Sequence, residues 1–266
     1  MYNHAMNTHT MITSPQNQQI QLVRKLMEQS KARERNQAFV AEGVRLVEEG
    51  VNSSFPLKFI LHKPMPSQRA QSFLESLSDD HLVLSVEPKL FDSVSSTEHS
   101  QGILAVFELL TLPLPADLNF IVILDQLRDP GNMGTILRSA EAAGAQAVIV
   151  PRGNTDPFAP KVVRAGMGAH FRLPIQQLPW EVIDALTENL SVFHADMNGE
   201  LSCWQANFRQ PLALLIGGEA EGISPEGQQL ATHSVCIPMR GKTESLNAAV
   251  SASVLMFEVS RQRFGE

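Results

Sequence analysis

With 266 residues, 43% of them hydrophobic and 18% charged, the chain can form two globular domains with sizeable cores. It has no run of about 18 apolar residues, so no membrane span is expected, and its polar opening MYNHAMNTHTMITSPQNQQ lacks the apolar stretch of a secretory leader. A formal net charge of −7 gives no overall basic footprint, so any contact with nucleic acid must come from a local patch.

In chain order, residues 1–14 read as a flexible tail, and residues 15–110 as a small mixed α/β domain. IQLVRKLMEQSKARER places Ile20, Val23, Leu26 and Met27 at helical spacing. FVAEGVRLVEEG is a short strand leading into a helix, and LKFILH, HLVLSV and GILAVFELL are strands. TLPLPADLN, with two prolines and no periodicity, is a linker over 111–118.

From residue 119 to 266 strands and helices alternate. FIVILD is an unbroken apolar run, as in a strand buried on both faces. A helix is expected over Thr135 to Gly144, then the strand AVIV, a helix from Pro160 to Gly168, the helix WEVIDALTENL and the strand SVFHAD. PLALLIG is a second buried strand, Ser224 and Pro225 open a helix through Leu230, SVCIPM is a strand, and Ser245 to Phe264 is a long helix. This alternation predicts a mainly parallel sheet covered by helices.

Ligands of such sheets bind beyond the carboxyl ends of the strands, where three loops stand out. Asp129-Pro130-Gly131-Asn132-Met133-Gly134 precedes Arg138, whose guanidinium could hold a phosphate or oxyanion. Gly217-Gly218-Glu219-Ala220-Glu221-Gly222 fits close backbone approach to a ligand but matches neither a P-loop nor G-x-G-x-x-G. Ile237 to Asn247 joins a strand to a helix faced by Ala248, Ala249, Ser251, Ala252 and Ser253. Each loop taken singly also reads as plain structure: a helix start with a solvated arginine, a glycine turn, a capped helix. The basic run Lys31, Arg33 and Arg35 reads either as a set of phosphate contacts or as a solvated helix end. Arg128, Arg152 and Arg164 are weaker candidates for phosphate contact. The two cysteines, Cys203 and Cys236, form no C-x-x-C pair, which suits a reducing cytoplasm; no metal-ligand spacing is present.

In this order the three loops resemble the motifs of the SpoU (TrmH-like) family of RNA ribose methyltransferases in the knotted SPOUT class. DPGNMGTILRSAEAAGA supplies Asn132, Gly134 and Arg138; LLIGGEAEGIS supplies the glycine–glutamate loop; IPMRGKTESLNAAVSASVLMFE supplies the Ser-Leu-Asn helix start. The likeness runs from about Asn119 to Phe264. SKARERNQAFVAEGVRLVEEG, within Gln18 to Glu108, also resembles the substrate-binding domain of rRNA-directed members, through a basic run before Phe-x-x-Glu-Gly. The second motif often reads Gly-Asn-Glu-Gly in the family; here Gly218 and Ala220 depart from it.

The resemblance implies an α/β fold: a C-terminal trefoil-knotted, mainly parallel sheet with helices on both faces, plus a smaller N-terminal mixed α/β domain. It implies methyl transfer from S-adenosylmethionine to a ribose 2′-hydroxyl without a metal, by a homodimer. The N-terminal likeness favours 23S rRNA over tRNA as substrate. A non-catalytic RNA-binding protein of the same fold is the other alternative, and a dinucleotide enzyme lacks its glycine motif. By motif alignment, Asn132, Arg138, Glu219, Ser245 and Asn247 would serve catalysis. Glu219 would orient Arg138 or Asn132, and Arg138 would stabilise the developing alkoxide. Ala195, Gly217, Ile237 and Leu246 would hold the cofactor, with His194 to Gly199 bordering the same pocket, and Lys31, Arg33 and Arg35 would bind RNA.

Overall fold

The computed structural model describes residues 11–265 except positions 54, 98, 220 and 244. The chain divides after Leu110 into two compact units.

The first unit comprises α1 (Gln18–Glu28), α2 (Ser30–Asn36), β1 (Ala38–Glu42), α3 (Val44–Val51), β2 (Leu57–His62), α4 (Gln68–Ser76), β3 (Val83–Ser85), α5 (Pro88–Asp92) and β4 (Ile103–Glu108). Its sheet has the order β1-β4-β2-β3; β4 runs antiparallel to both neighbours, and β3 parallel to β2. The helix expected through Arg35 breaks at Gln29, which is extended (φ −125°, ψ 118°). Ile20, Val23 and Leu26 stay on one buried face of α1. Beyond the break Arg33 folds back, only 5% exposed, and donates through Nη1 to the Leu26 carbonyl at 2.5 Å. Helices α4 and α5 were not expected. Their buried residues are Ala70 in α4 and Leu90 and Phe91 in α5, too few to show a period.

Two features of this unit explain sequence signals. Glu42 is buried and accepts from Ser96 N (2.9 Å), Ser96 Oγ (2.6 Å), Thr97 Oγ1 (2.8 Å) and the Ser95 hydroxyl. The Phe39-x-x-Glu42-Gly43 signature therefore fastens the 95–97 turn to the end of β1. Of the tail expected over 1–14, residues 1–10 lie outside the described residues. Ile12 is tied down, donating to Ser85 O at 2.8 Å and accepting from Glu87 N at 2.9 Å.

The second unit comprises β5 (Phe120–Asp125), α6 (Pro130–Ala142), β6 (Ala147–Ile149), α7 (Pro160–Gly166), a 3-10 turn (Ala169–Phe171), β7 (Ile175–Gln176), α8 (Trp180–Thr187), β8 (Ser191–Ala195), β9 (Leu201–Ser202), β10 (Leu212–Gly217), α9 (Pro225–Leu230), β11 (His233–Cys236) and α10 (Ala248–Phe264). Seven strands form one parallel sheet in the order β7-β6-β5-β10-β8-β11-β9. β5 explains why its sequence does not alternate. Phe120, Val122 and Leu124 pack into the core on the side of α6 and α10, while Ile121 and Ile123 pack with Ile183 of α8 on the other.

Two helix starts differ from expectation, and capping explains both. α6 begins at Pro130, because Asp129 accepts from Asn132 N at 2.7 Å and proline suits a first helical turn. DPGNMG is thus a cap and first turn, and Arg138 sits about two turns into the helix rather than one. α10 begins at Ala248, after Ser245 and Leu246. Asn247 Oδ1 accepts from Ala249 N (2.9 Å) and Val250 N (3.3 Å). The strand expected to reach Met239 ends at Cys236, just short of Pro238, which cannot donate to a ladder.

α6 and α7 cross at Gly134. A Cβ there would lie 2.5 Å from Ala165 Cβ and 2.6 Å from the Val162 carbonyl oxygen. Gly134→Ala should therefore lower stability by about 1–3 kcal/mol, read as a reduced urea midpoint. A midpoint equal to that of the unsubstituted chain would show that the crossing has slack.

Candidate active site

Strands β8 and β10 and the loop after β11 end around a cavity of about 630 Å³, within the size range of small-molecule sites. Ala195, Gly217, Ile237 and Leu246 line it, with Ser245 and Asn247 at the start of α10. Ile216, Ile223 and Leu255 add apolar wall. The cavity thus combines an apolar lining with strand-end backbone and a few polar groups, a fit for an adenosine-bearing cofactor.

At its edge the three loops meet in one hydrogen-bonded cluster. Glu219 Oε1 accepts from Asn132 Nδ2 (2.8 Å), Asn247 Nδ2 (2.7 Å) and Ala248 N (3.4 Å), and Asn247 Nδ2 also approaches Asn132 Oδ1 (3.0 Å). The donors are neutral amides, so they satisfy the carboxylate without cancelling its charge. Glu219 lines the cavity, and its Oε2 has no hydrogen-bond partner among the described residues.

Arg138 stands apart. It is exposed, makes no hydrogen bond or ion pair among the described residues, and is absent from the cavity wall. It follows Asn132 by six residues on α6, which turns it about 120° around the helix from Asn132. Glu219 therefore orients Asn132 and not Arg138 within one chain. In the first unit, Lys31 and Arg35 are exposed, whereas Arg33 is buried and committed to Leu26. Arg128 pairs with Glu221 at 2.9 Å.

One contributor escaped the sequence reading. Asp125, fully buried at the end of β5, accepts from Ser224 N at 2.6 Å through Oδ2; Oδ1 has no partner among the described residues. Burial pushes its carboxyl above the usual carboxylate range. Ser224 in turn caps α9, so Asp125 fixes the far end of the Gly217–Gly222 loop. The available signal was a carboxylate closing an otherwise apolar buried strand. His194 lines the cavity, and burial lowers its pKa against the opposing pull of Asp196 and Asp125, leaving the imidazole neutral at neutral pH.

The departure at Gly218 has a physical reason. Gln126 adopts positive φ (56°) and turns its carbonyl toward Gly218, so a Cβ on Gly218 would overlap that oxygen and lie 3.0 Å from its carbon. Gly218 and Gly222 close the loop with reciprocal backbone bonds of 2.9 and 3.0 Å. The other departure, Ala220, lies outside the described residues. Gly218→Ala should cost about 1–3 kcal/mol of stability and weaken binding of S-adenosylhomocysteine. Gly241→Ala, where a Cβ meets nothing within 4 Å, should change neither. Equal behaviour of the two variants in urea unfolding and calorimetric titration would refute the constraint.

Comparison with known proteins agrees with this geometry. Residues 119–257 match the SpoU rRNA Methylase family, and residues 17–105 match an MRM3-like substrate binding domain. The chain is 31% identical to the 23S rRNA (guanosine(2553)-2′-O)-methyltransferase RlmP of Bacillus subtilis, over 93% of this chain and 98% of that protein. It is also 31% identical to the 23S rRNA (uridine(2479)-2′-O)-methyltransferase of Streptomyces viridochromogenes, over 85% of this chain and 83% of that one. The crystal structure of the SpoU methyltransferase AviRb from Streptomyces viridochromogenes, in complex with the cofactor AdoMet, superposes with a TM-score of 0.84 at 30% identity, covering 92% of this chain and 98% of that one. Carrying the family's domain over more than half its length, and its three loops in one cluster, the chain belongs to the SpoU rRNA methylase family.

Proposed function

We propose that the protein methylates a ribose 2′-hydroxyl of 23S rRNA, using S-adenosylmethionine held in the cavity between β8, β10 and α10. The observation that carries this reading is the Asn132–Glu219–Asn247 cluster at the cavity edge. Ala195, Gly217, Ile237 and Leu246 would hold the cofactor, and Ser245 the target nucleotide. When bound, the cofactor supplies an electrophilic methyl group on a sulfonium. The residues must then lower the proton affinity of a poorly nucleophilic hydroxyl. A guanidinium suits this as an electrostatic partner of the developing alkoxide, since arginine does not give up its proton at neutral pH.

Arg138 would fill that role from a second copy of the chain. The exposed face of α10 carries Val250, Val254, Phe257 and Phe264 at helical spacing, with Val250 48%, Phe257 50% and Phe264 75% exposed. α6 packs beside it through Ser253 Oγ–Ser139 Oγ at 2.8 Å. A twofold contact over this face would cover the apolar stripe and carry Arg138 toward the partner's Glu219 cluster. The trefoil knot implied by the resemblance belongs to this reading; β10 and β11 flanking β8 out of sequence order support it. The protein would act in the cytoplasm, consistent with Cys203 and Cys236 remaining unpaired.

Transfer of labelled methyl to 23S rRNA tests the activity, and Arg138→Ala should reduce it about 10²–10³-fold. Mixing Arg138→Ala with Glu219→Ala should restore about a quarter of wild-type activity, because half the dimers are mixed and each has one intact site. No recovery in verified mixed dimers would place Arg138 in its own chain's site. Full activity in Arg138→Ala would remove it from the reaction.

RNA docking divides the basic run. Lys31 and Arg35 lie four residues apart on an exposed face of α2. Replacing both with alanine should reduce the salt slope of RNA binding by about 0.7 per lost contact. Arg33→Ala should instead destabilise the first unit in urea. An unchanged slope in the double variant would exclude both residues from the interface.

A further inference from the structure

A second cavity, of about 410 Å³, lies between the 204–209 segment and the last turns of α10, lined by Trp204, Gln205, Asn207, Arg209, Arg261 and Gln262. It is some 14 residues along α10 from Asn247, roughly 21 Å at 1.5 Å per residue. It is therefore separate from the methyl-transfer site.

Trp204 is 55% exposed in this cleft, and its indole makes no ring contact or hydrogen bond among the described residues. Large aromatics usually bury area in the core, so an indole left open in a cleft is unusual for a purely structural residue. The groups around it are held rigidly. Gln262 ties the wall together by donating to Ala206 O (3.0 Å) and Glu258 Oε1 (2.8 Å) and accepting from Phe208 N (2.8 Å). Buried Glu258 accepts from Arg261 Nε (2.8 Å) and Nη2 (2.7 Å), fixing that guanidinium with its Nη1 edge unused. Arg209 donates Nε to Gln262 O at 3.2 Å, which leaves both Nη groups without a partner among the described residues. Arg209 also faces no carboxylate within ion-pair distance among the described residues.

The cleft thus offers an open aromatic face beside the Arg209 guanidinium. Every base has a face that can stack on an indole, and a free guanidinium edge matches a phosphate oxygen pair. The cation at Arg209 is notable in a chain whose net charge is −7. We propose that this cleft binds an unpaired nucleotide of the substrate RNA, its base stacked on Trp204 and its phosphate held by Arg209. The proposal rests on the reading of the protein as an RNA methyltransferase. It adds a second RNA contact on the catalytic unit, at a distance from the reacting ribose.

The chain has two tryptophans, Trp180 and Trp204, so Trp180→Phe leaves Trp204 as the reporter. Titration with a short oligouridylate should quench its fluorescence saturably, and added salt should reverse the effect. In the wild-type background Trp204→Ala and Arg209→Ala should each weaken oligouridylate binding about tenfold, and Trp204→Phe should largely restore it. S-adenosylhomocysteine binding should be unchanged in all three. Absence of quenching, or wild-type affinity in Trp204→Ala, overturns the proposal. So does dissociation of Trp204→Ala dimers in sedimentation velocity, which would assign the cleft to a second copy of the chain. If the cleft fails while methyl transfer to rRNA persists, the functional reading stands without it. If the wild-type protein neither binds nor methylates RNA, both fall.

Discussion

The site depends on one carboxylate oxygen. Glu219 Oε1 gathers donors from the starts of α6 and α10, two helices separated by more than a hundred residues of sequence, while the residue itself sits at the end of β10. Without it, two asparagine amides and a helix-start N–H would compete for water at a cavity mouth, and the three loops would have no shared reference point. Because the donors are uncharged, the carboxylate keeps its field while its position is fixed. A lysine or arginine partner would also fix it, but would cancel the charge the cavity presents.

The surrounding architecture serves that meeting point. Parallel strands deliver all their carboxyl ends to one side, so loops far apart in sequence converge there without special arrangement. Asp125 at the end of β5, and Gln126 just past it, then set the path of the neighbouring loop. One pins Ser224, and the other presses a carbonyl against Gly218. The departure from the common family sequence at Gly218 is thus part of a local solution: a positive-φ residue on one strand end matched by a missing side chain on the next.

Much of this was legible in the sequence, for identifiable reasons. FIVILD and PLALLIG lack alternation because helices cover both faces, and that absence marked them as buried strands. The three loops could be ranked only together, since each by itself reads as an ordinary cap or turn. The start of α6 was placed too late because its apolar periodicity begins after the cap: Asp129 satisfies a first free N–H group before any buried residue appears. That of α10 was placed too early, at Ser245, whereas Asn247 is the residue that caps it. The basic run misled because three cations in five residues look alike in sequence, whereas only the broken helix at Gln29 shows that Arg33 points inward. Asp125 was missed because a lone carboxylate at a strand end carries no spacing signal. Motif order singles out Arg138, yet its orientation on α6 is a helical-phase property that emerges only once the true helix start is known.

Asn247 is used at both ends of its amide. Its oxygen closes the N-terminus of α10, and its nitrogen binds Glu219 and approaches Asn132. Few side chains can do both from that backbone position. Aspartate would cap the helix as well but would set a second negative charge against Glu219. Serine would cap but offers a single short hydroxyl for two tasks, and glutamine would carry the amide a methylene too far. The last helix and the Asn132–Glu219–Asn247 cluster therefore share one residue's geometry. A change that leaves the helix fully stable can still be silent in every folding assay and ruinous at the site.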